Sequence, residues 1–249
     1  MKPLTDLIAT NHAFAALAAA VDADAPVRNE TWSNAGAMID HLGNIQGWVT
    51  EIVRTGASAD REQYTRPPER ERVEWFRHTS DALVELLETT DPTRACRTLW
   101  GAAPTVLFWR QRMTHEAAKH LWDLRTAIEP DPLMPKEIGL DVQADIIDEF
   151  TQLLVPTARN RGIDPLPDDV LLVAKDLDRT WRFSRAWEVT PSPRSGTSSK
   201  ADSEVLRADV GDLALFVWGR ANPWHLRDRF TIEGADAALQ SFSRTPIHL

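Results

Sequence analysis

The stretch Arg112-Met-Thr-His-Glu-Ala-Ala-Lys-His-Leu-Trp-Asp123 decides how the chain reads. Trp109, Met113, Glu116, His120 and Leu124 recur at the period of one α-helix face. Glu116 and His120 stand one turn apart on that face. Their neighbours along it are apolar, so both polar groups point at a core. A carboxylate turned into a core is costly unless it is paired, hydrogen-bonded or bound to a metal. The spacing predicts a helix from about Thr105 to Ile128, stopped by Pro130 and Pro132.

Working outward, the flanking sequence is also helical. Leu4, Leu7, Ile8, Phe14, Leu17, Ala18 and Val21 predict a first helix rather than a secretory segment, since only Lys2 supplies positive charge ahead of them. After a turn rich in Asp and Pro, Ser33 is the expected N-cap of a second helix. Its apolar stripe runs through Met38, Leu42, Ile45, Val49 and Ile52, and His41 lies on that stripe. A polar loop, Gly56 to Pro68, leads to a third helix from Glu69 to Thr89. A fifth is expected from Gly139 to Ala158. Long amphipathic helices with core-facing stripes make a bundle.

The second half changes character. Val170–Ala174, Thr180–Phe183, Trp187–Val189 and Phe230–Glu233 have the residue types of short strands, and Gly211–Trp218 and Ala235–Phe242 those of helices. Thr190–Ser203, rich in Ser, Pro, Gly and Thr, is the expected mobile loop. The fold class is therefore α+β with two domains: a helical bundle over residues 1–158 and a small α+β domain over 159–249.

Charge narrows the function. A net charge of -9 disfavours nucleic acid and anionic membranes, both of which need clustered positive charge. The lone Cys96 excludes an intramolecular disulfide and multi-cysteine zinc ligation. It fits a cytoplasmic setting, and any thiol used in chemistry is expected to come from outside.

His41, Glu116 and His120 together offer two imidazoles and one carboxylate, a donor set for a divalent ion. Three protein ligands leave coordination positions open, as catalytic sites do. Asp123, three residues past His120, is placed to hold that ring's free N–H. His115 lies about 100° around the helix from Glu116 and is expected at a surface or interface. His12 and His78 are substitute ligands of lower rank.

Trp32, His41-Leu42-Gly43 and Trp48, followed by His115-Glu116, His120 and Asp123, resemble the mycothiol-dependent maleylpyruvate isomerase family. The stretch Gly211-Asp-Leu-Ala-Leu-Phe-Val-Trp-Gly-Arg220 resembles the end of that family's second domain. The resemblance implies a DinB-like four-helix bundle, with His41, Glu116 and His120 as metal ligands, usually for zinc. It further implies mycothiol or a related thiol as cofactor and a small-molecule substrate, with Arg220 as a carboxylate- or cofactor-binding residue. Ser33-Asn34-Ala35-Gly36 and Lys119-His120-Leu121 depart from the family pattern and leave the substrate open.

Three readings follow. The first is a metal- and thiol-dependent isomerase or S-transferase, monomeric or homodimeric. The second is a non-haem Fe(II) enzyme on the same ligands. The third is a binding module with a residual metal site.

Overall fold

A computed structural model of the chain describes residues 4–29, 31–192 and 203–247. It divides into two compact units, Met1–Ile138 and Gly139–Leu249.

The first unit holds α1 (Thr5–Ala20), α2 (Ala35–Thr55), a 3₁₀ turn (Arg61–Tyr64), α3 (Arg72–Thr89) and α4 (Val106–Arg125). Helix α2 is capped by Asn34, one residue past the expected Ser33; its Oδ1 accepts from the Ala37 N–H at 2.8 Å. It ends where Gly56 takes a left-handed φ of 75°, a conformation that costs glycine little. Helix α3 begins three residues later than Glu69, because the Glu71 carboxylate accepts from the N–H groups of Val73 and Glu74 and so fixes the first turn.

Helix α1 packs on α3 and α4, and α2 packs on the same two. Phe14, Met38, Ile39, Leu42, Phe76, Leu121 and Leu124 close the core between them. The α2–α3 approach is tight at Gly43, where an added Cβ would lie 2.3 Å from the Trp75 ring. Helix α4 is buried on all sides from Arg112 to Leu124, not along a single stripe. His115 is accordingly only 3% exposed, which corrects the expected surface position.

The second unit contains α5 (Leu140–Glu149), a π-helical stretch (Phe150–Leu154) and α6 (Val155–Asn160). These are followed by β1 (Asp169–Ala174), β2 (Thr180–Phe183), β3 (Val189–Ser192) and β4 (Ser203–Ala208), and then by α7 (Val210–Val217), β5 (Thr231–Glu233) and α8 (Ala237–Arg244). The five strands run in the order β3-β2-β1-β4-β5. Strands β1 and β4 are parallel, with Leu172 opposite Leu206, and the other neighbours are antiparallel. The units divide after Ile138 rather than after Ala158, so the fifth helix goes with the sheet. Helix α5 packs on α7, and the Phe150 ring that follows it meets those of Phe183 and Phe242 at centroid distances of 6.2 and 5.9 Å.

Strand β4 has no counterpart among the expected strands. Its apolar alternation is interrupted by Glu204, whose buried carboxylate accepts from the Leu239 N–H, and by Arg207, which pairs with Glu233. Strand β3 starts two residues after Trp187, because Trp187 sits in the β2–β3 turn at φ 61°. Of the expected loop Thr190–Ser203, the first three residues belong to β3 and the last to β4; 193–202 lie outside the described residues. Among the described residues, no helix is long and apolar enough to cross a membrane.

Candidate metal centre

Helices α2 and α4 carry the site. Their packing brings His41 against Glu116 and His120, more than seventy positions away in the chain. His41 Nε2 lies 3.1 Å from His120 Nε2 and 3.7 Å from Glu116 Oε1, and His120 Nε2 lies 3.1 Å from the same oxygen. The three residues form a group whose donor atoms converge within 4.8 Å of one another. Bonds of about 2.0–2.2 Å in a tetrahedral shell set neighbouring donors roughly 3.3–3.6 Å apart. The observed separations bracket that spacing, so the donor set fits a divalent ion in both chemistry and distance.

Two of the donors are held from behind, and the third is stacked on its face. His120 Nδ1 lies 3.0 Å from Asp123 Oδ2, a carboxylate with no exposed surface. With an ion in the group, that contact would hold the proton on Nδ1 and leave the Nε2 lone pair to coordinate. Asn29 Nδ2 donates to the same Asp123 oxygen at 3.0 Å, while Asn29 Oδ1 accepts from the Trp32 N–H. Trp32 in turn stacks on His41, with ring centroids 4.2 Å apart and planes inclined by 29°. Arg112, one turn before Glu116, donates to Glu116 Oε2 and leaves Oε1 towards the imidazoles. The Arg112 guanidinium also lies over the Trp100 ring at 5.2 Å.

The electrostatics agree with this geometry. Burial lowers the His41 pKa from 6.5 to about 4, outweighing the opposing hydrogen bond to Glu116. Burial pushes the Glu116 carboxyl up. The Arg112 guanidinium and the hydrogen bonds from His120 and His41 more than reverse this, and hold it well below the usual carboxylate range. A neutral His41 imidazole and an ionised Glu116 carboxylate are protonation states that metal coordination requires.

The remaining candidates lie elsewhere. His12 and His78 are exposed on α1 and α3, outside the group. Cys96 is buried, its thiol pKa raised by desolvation, with Sγ 3.4 Å from the Ile52 carbonyl oxygen. Arg220 follows α7 in the second unit and donates from Nη1 to the Trp218 carbonyl at 2.9 Å.

Four contributors were not singled out from sequence. Arg112 could have been, since it sits four residues before Glu116 on the same face. Asn29, Asn44 and Arg61 carried no such signal, because two of them lie in irregular segments and the third acts on one of those segments. Arg61 Nη2 lies 2.9 Å from His41 Nδ1, and Arg61 Nε donates to Asn44 Oδ1 at 2.7 Å.

Residues 5–125 match the family model described as the mycothiol maleylpyruvate isomerase N-terminal domain. The N-terminal half of the chain belongs to that family. The matched span runs from α1 through α4 and includes His41, Glu116, His120 and Asp123; Arg220 lies beyond it. Two solved structures are similar over nearly the whole chain. One is a crystal structure of a histidine-to-alanine mutant of the mycothiol-dependent maleylpyruvate isomerase. It has 15% identity and a TM-score of 0.62, and covers 92% of this chain and 91% of that one. The other, a crystal structure of the mycothiol-dependent maleylpyruvate isomerase, has 14% identity and a TM-score of 0.59 with the same coverage. Likeness at that identity establishes a shared fold. No curated protein matches the chain.

Proposed function

We propose that the chain is a divalent-metal-dependent enzyme that uses a low-molecular-weight thiol, mycothiol or a relative, either to isomerise a small electrophilic substrate bearing a carboxylate or to transfer the thiol onto it. In this reading the first unit is a DinB-like four-helix bundle with zinc on His41, Glu116 and His120. The observation that carries it is the convergence of two imidazole nitrogens and one carboxylate oxygen at 3.1–3.7 Å on facing helices. Family membership of the N-terminal half and the names of the two similar structures support the thiol.

When bound, such an ion holds a coordinating thiol as its thiolate at neutral pH, and reversible addition of a thiolate to an alkene is a route to cis–trans isomerisation. The chain's own residues prepare that chemistry. Asp123 keeps the His120 proton on Nδ1, Arg112 aims one Glu116 oxygen at the group, and Trp32 covers the His41 ring against water. Three protein donors leave room for a thiol and a substrate. Arg220 is retained as a candidate for carboxylate or cofactor binding.

The test is metal content after purification, followed by titration of mycothiol into the loaded protein. Stoichiometric zinc and saturable thiol binding, both lost in His41→Ala, support the reading. A thermal shift with metal but none with thiol would point to a non-catalytic metal-binding module instead. Two imidazoles and one carboxylate are also the donor set of non-haem iron oxygenases. Iron in anaerobically purified protein together with substrate-dependent oxygen uptake would favour that second reading.

A further inference from the structure

Arg61 differs from Arg54, Arg66 and Arg72, each of which pairs with a carboxylate. It is exposed and opens the 3₁₀ turn between α2 and α3, yet no carboxylate lies within ion-pair distance among the described residues. Its guanidinium is instead fixed by neutral partners. Nε donates to Asn44 Oδ1 at 2.7 Å, Asn44 Nδ2 donates back to the Arg61 carbonyl at 3.0 Å, and Nη2 meets His41 Nδ1 at 2.9 Å. Nη1 makes no hydrogen bond among the described residues. A guanidinium held in place, with donors to spare and no acid of its own, is built to receive an anion.

The contact with His41 adds a second argument. Guanidinium has no acceptor and keeps its protons, so Nη2 can meet His41 only through a lone pair on Nδ1. A histidine that coordinates through Nε2 carries its ring proton on Nδ1. The two contacts are mutually exclusive, so a metal held by His41 Nε2 turns Arg61 Nη2 away from the ring. The Asn44 clamp on Nε keeps the guanidinium at the rim of the site. Only the width of one imidazole ring separates it from the donor group.

We propose that Arg61 is the carboxylate-recognising residue of this site, and that it selects substrates whose carboxylate lies within a few bonds of the reacting carbon. Arg61 offers two parallel donors to that carboxylate. Metal loading and carboxylate binding then favour each other, because each removes Arg61 from His41. This rests on the metal reading of His41, Glu116 and His120 proposed above.

The experiment loads wild type, Arg61→Gln and Arg61→Lys with one equivalent of zinc. Each is titrated calorimetrically with succinate and with uncharged succinamide, and zinc affinity is measured by chelator competition. Wild type binds succinate in preference to succinamide. Arg61→Gln loses at least tenfold in succinate affinity while its zinc affinity is unchanged or tighter, and Arg61→Lys falls between. Equal succinate affinity in wild type and Arg61→Gln overturns the proposal, as does weaker zinc binding in Arg61→Gln. A wild-type protein that takes up no zinc fails the metal reading; the same succinate comparison on metal-free protein then decides Arg61 separately.

Discussion

Asp123 accepts from His120 Nδ1 at 3.0 Å while having no exposed surface of its own. A buried carboxylate is retained there because it is hydrogen-bonded, with the imidazole and Asn29 among its partners. The same contact aims His120 Nε2 at Glu116 and His41. Asp123→Asn keeps the shape and removes the charge. It should weaken zinc affinity by about 10–100-fold, the usual effect of losing such a partner. Chelator competition measures it, and an unchanged affinity would show that His120 is oriented by packing alone.

His41→Ala and Glu116→Gln should each reduce bound metal to near zero by elemental analysis. They should differ in stability. Glu116→Gln takes the carboxylate away from the buried Arg112 guanidinium and should cost the metal-free protein roughly 3 kcal/mol, as broken buried pairs do. His41→Ala removes no charge partner and should cost clearly less by urea unfolding. Full metal occupancy in both variants would end the case for the site.

With its pKa lowered to about 4 by burial, His41 makes the metal-free protein sensitive to acid. Between pH 6.5 and 4 the unfolded chain protonates this ring and the folded chain does not. Stability therefore rises with pH across that window and is lost on acidification, by at most about 3 kcal/mol. Glu116, held low by Arg112, loses its contribution in the same direction as pH falls further. Unfolding midpoints in chelator from pH 7 to 4 should fall more steeply for wild type than for His41→Gln; parallel curves would mean that His41 is not desolvated.

Gly43 sits two residues from His41 and against Trp75, whose ring an added Cβ would meet at 2.3 Å. Gly43→Ala should cost about 1–3 kcal/mol by overpacking. Because it pushes α2 from α3, it should also loosen metal binding. Trp75→Leu in the same chain should restore part of the melting temperature, and a thermal scan of the single and double variants checks both.

The helical half was legible because its stripes are long. Met38, Leu42, Val49 and Ile52 mark one helix face and Trp109, Met113 and Leu124 another, so His41, Glu116 and His120 could each be seen to face inward. Element ends were less legible. Asn34 rather than Ser33 caps α2, since the choice depends on which side chain reaches the Ala37 N–H. Strand β4 was hidden because Glu204 and Arg207 interrupt its apolar alternation. Burial of Glu204 is tolerated only because the Leu239 N–H, from a distant helix, satisfies it.

The sequence by itself determined that His41, Glu116 and His120 turn towards the interior, because helical period is local and depends only on spacing. It could not show that α4 is covered on every side, so period alone places His115 outward. It also pointed to the family, through short motifs around His41 and Glu116. Only the tertiary structure decided that α2 and α4 meet so that three donors converge. It also placed Arg112, Asn29 and Arg61 behind or beside those donors, and packed the fifth helix on α7 with Phe150 against Phe183 and Phe242. Those outcomes depend on contacts between residues far apart in the chain, where packing and hydrogen-bond satisfaction choose the partner and spacing carries no information.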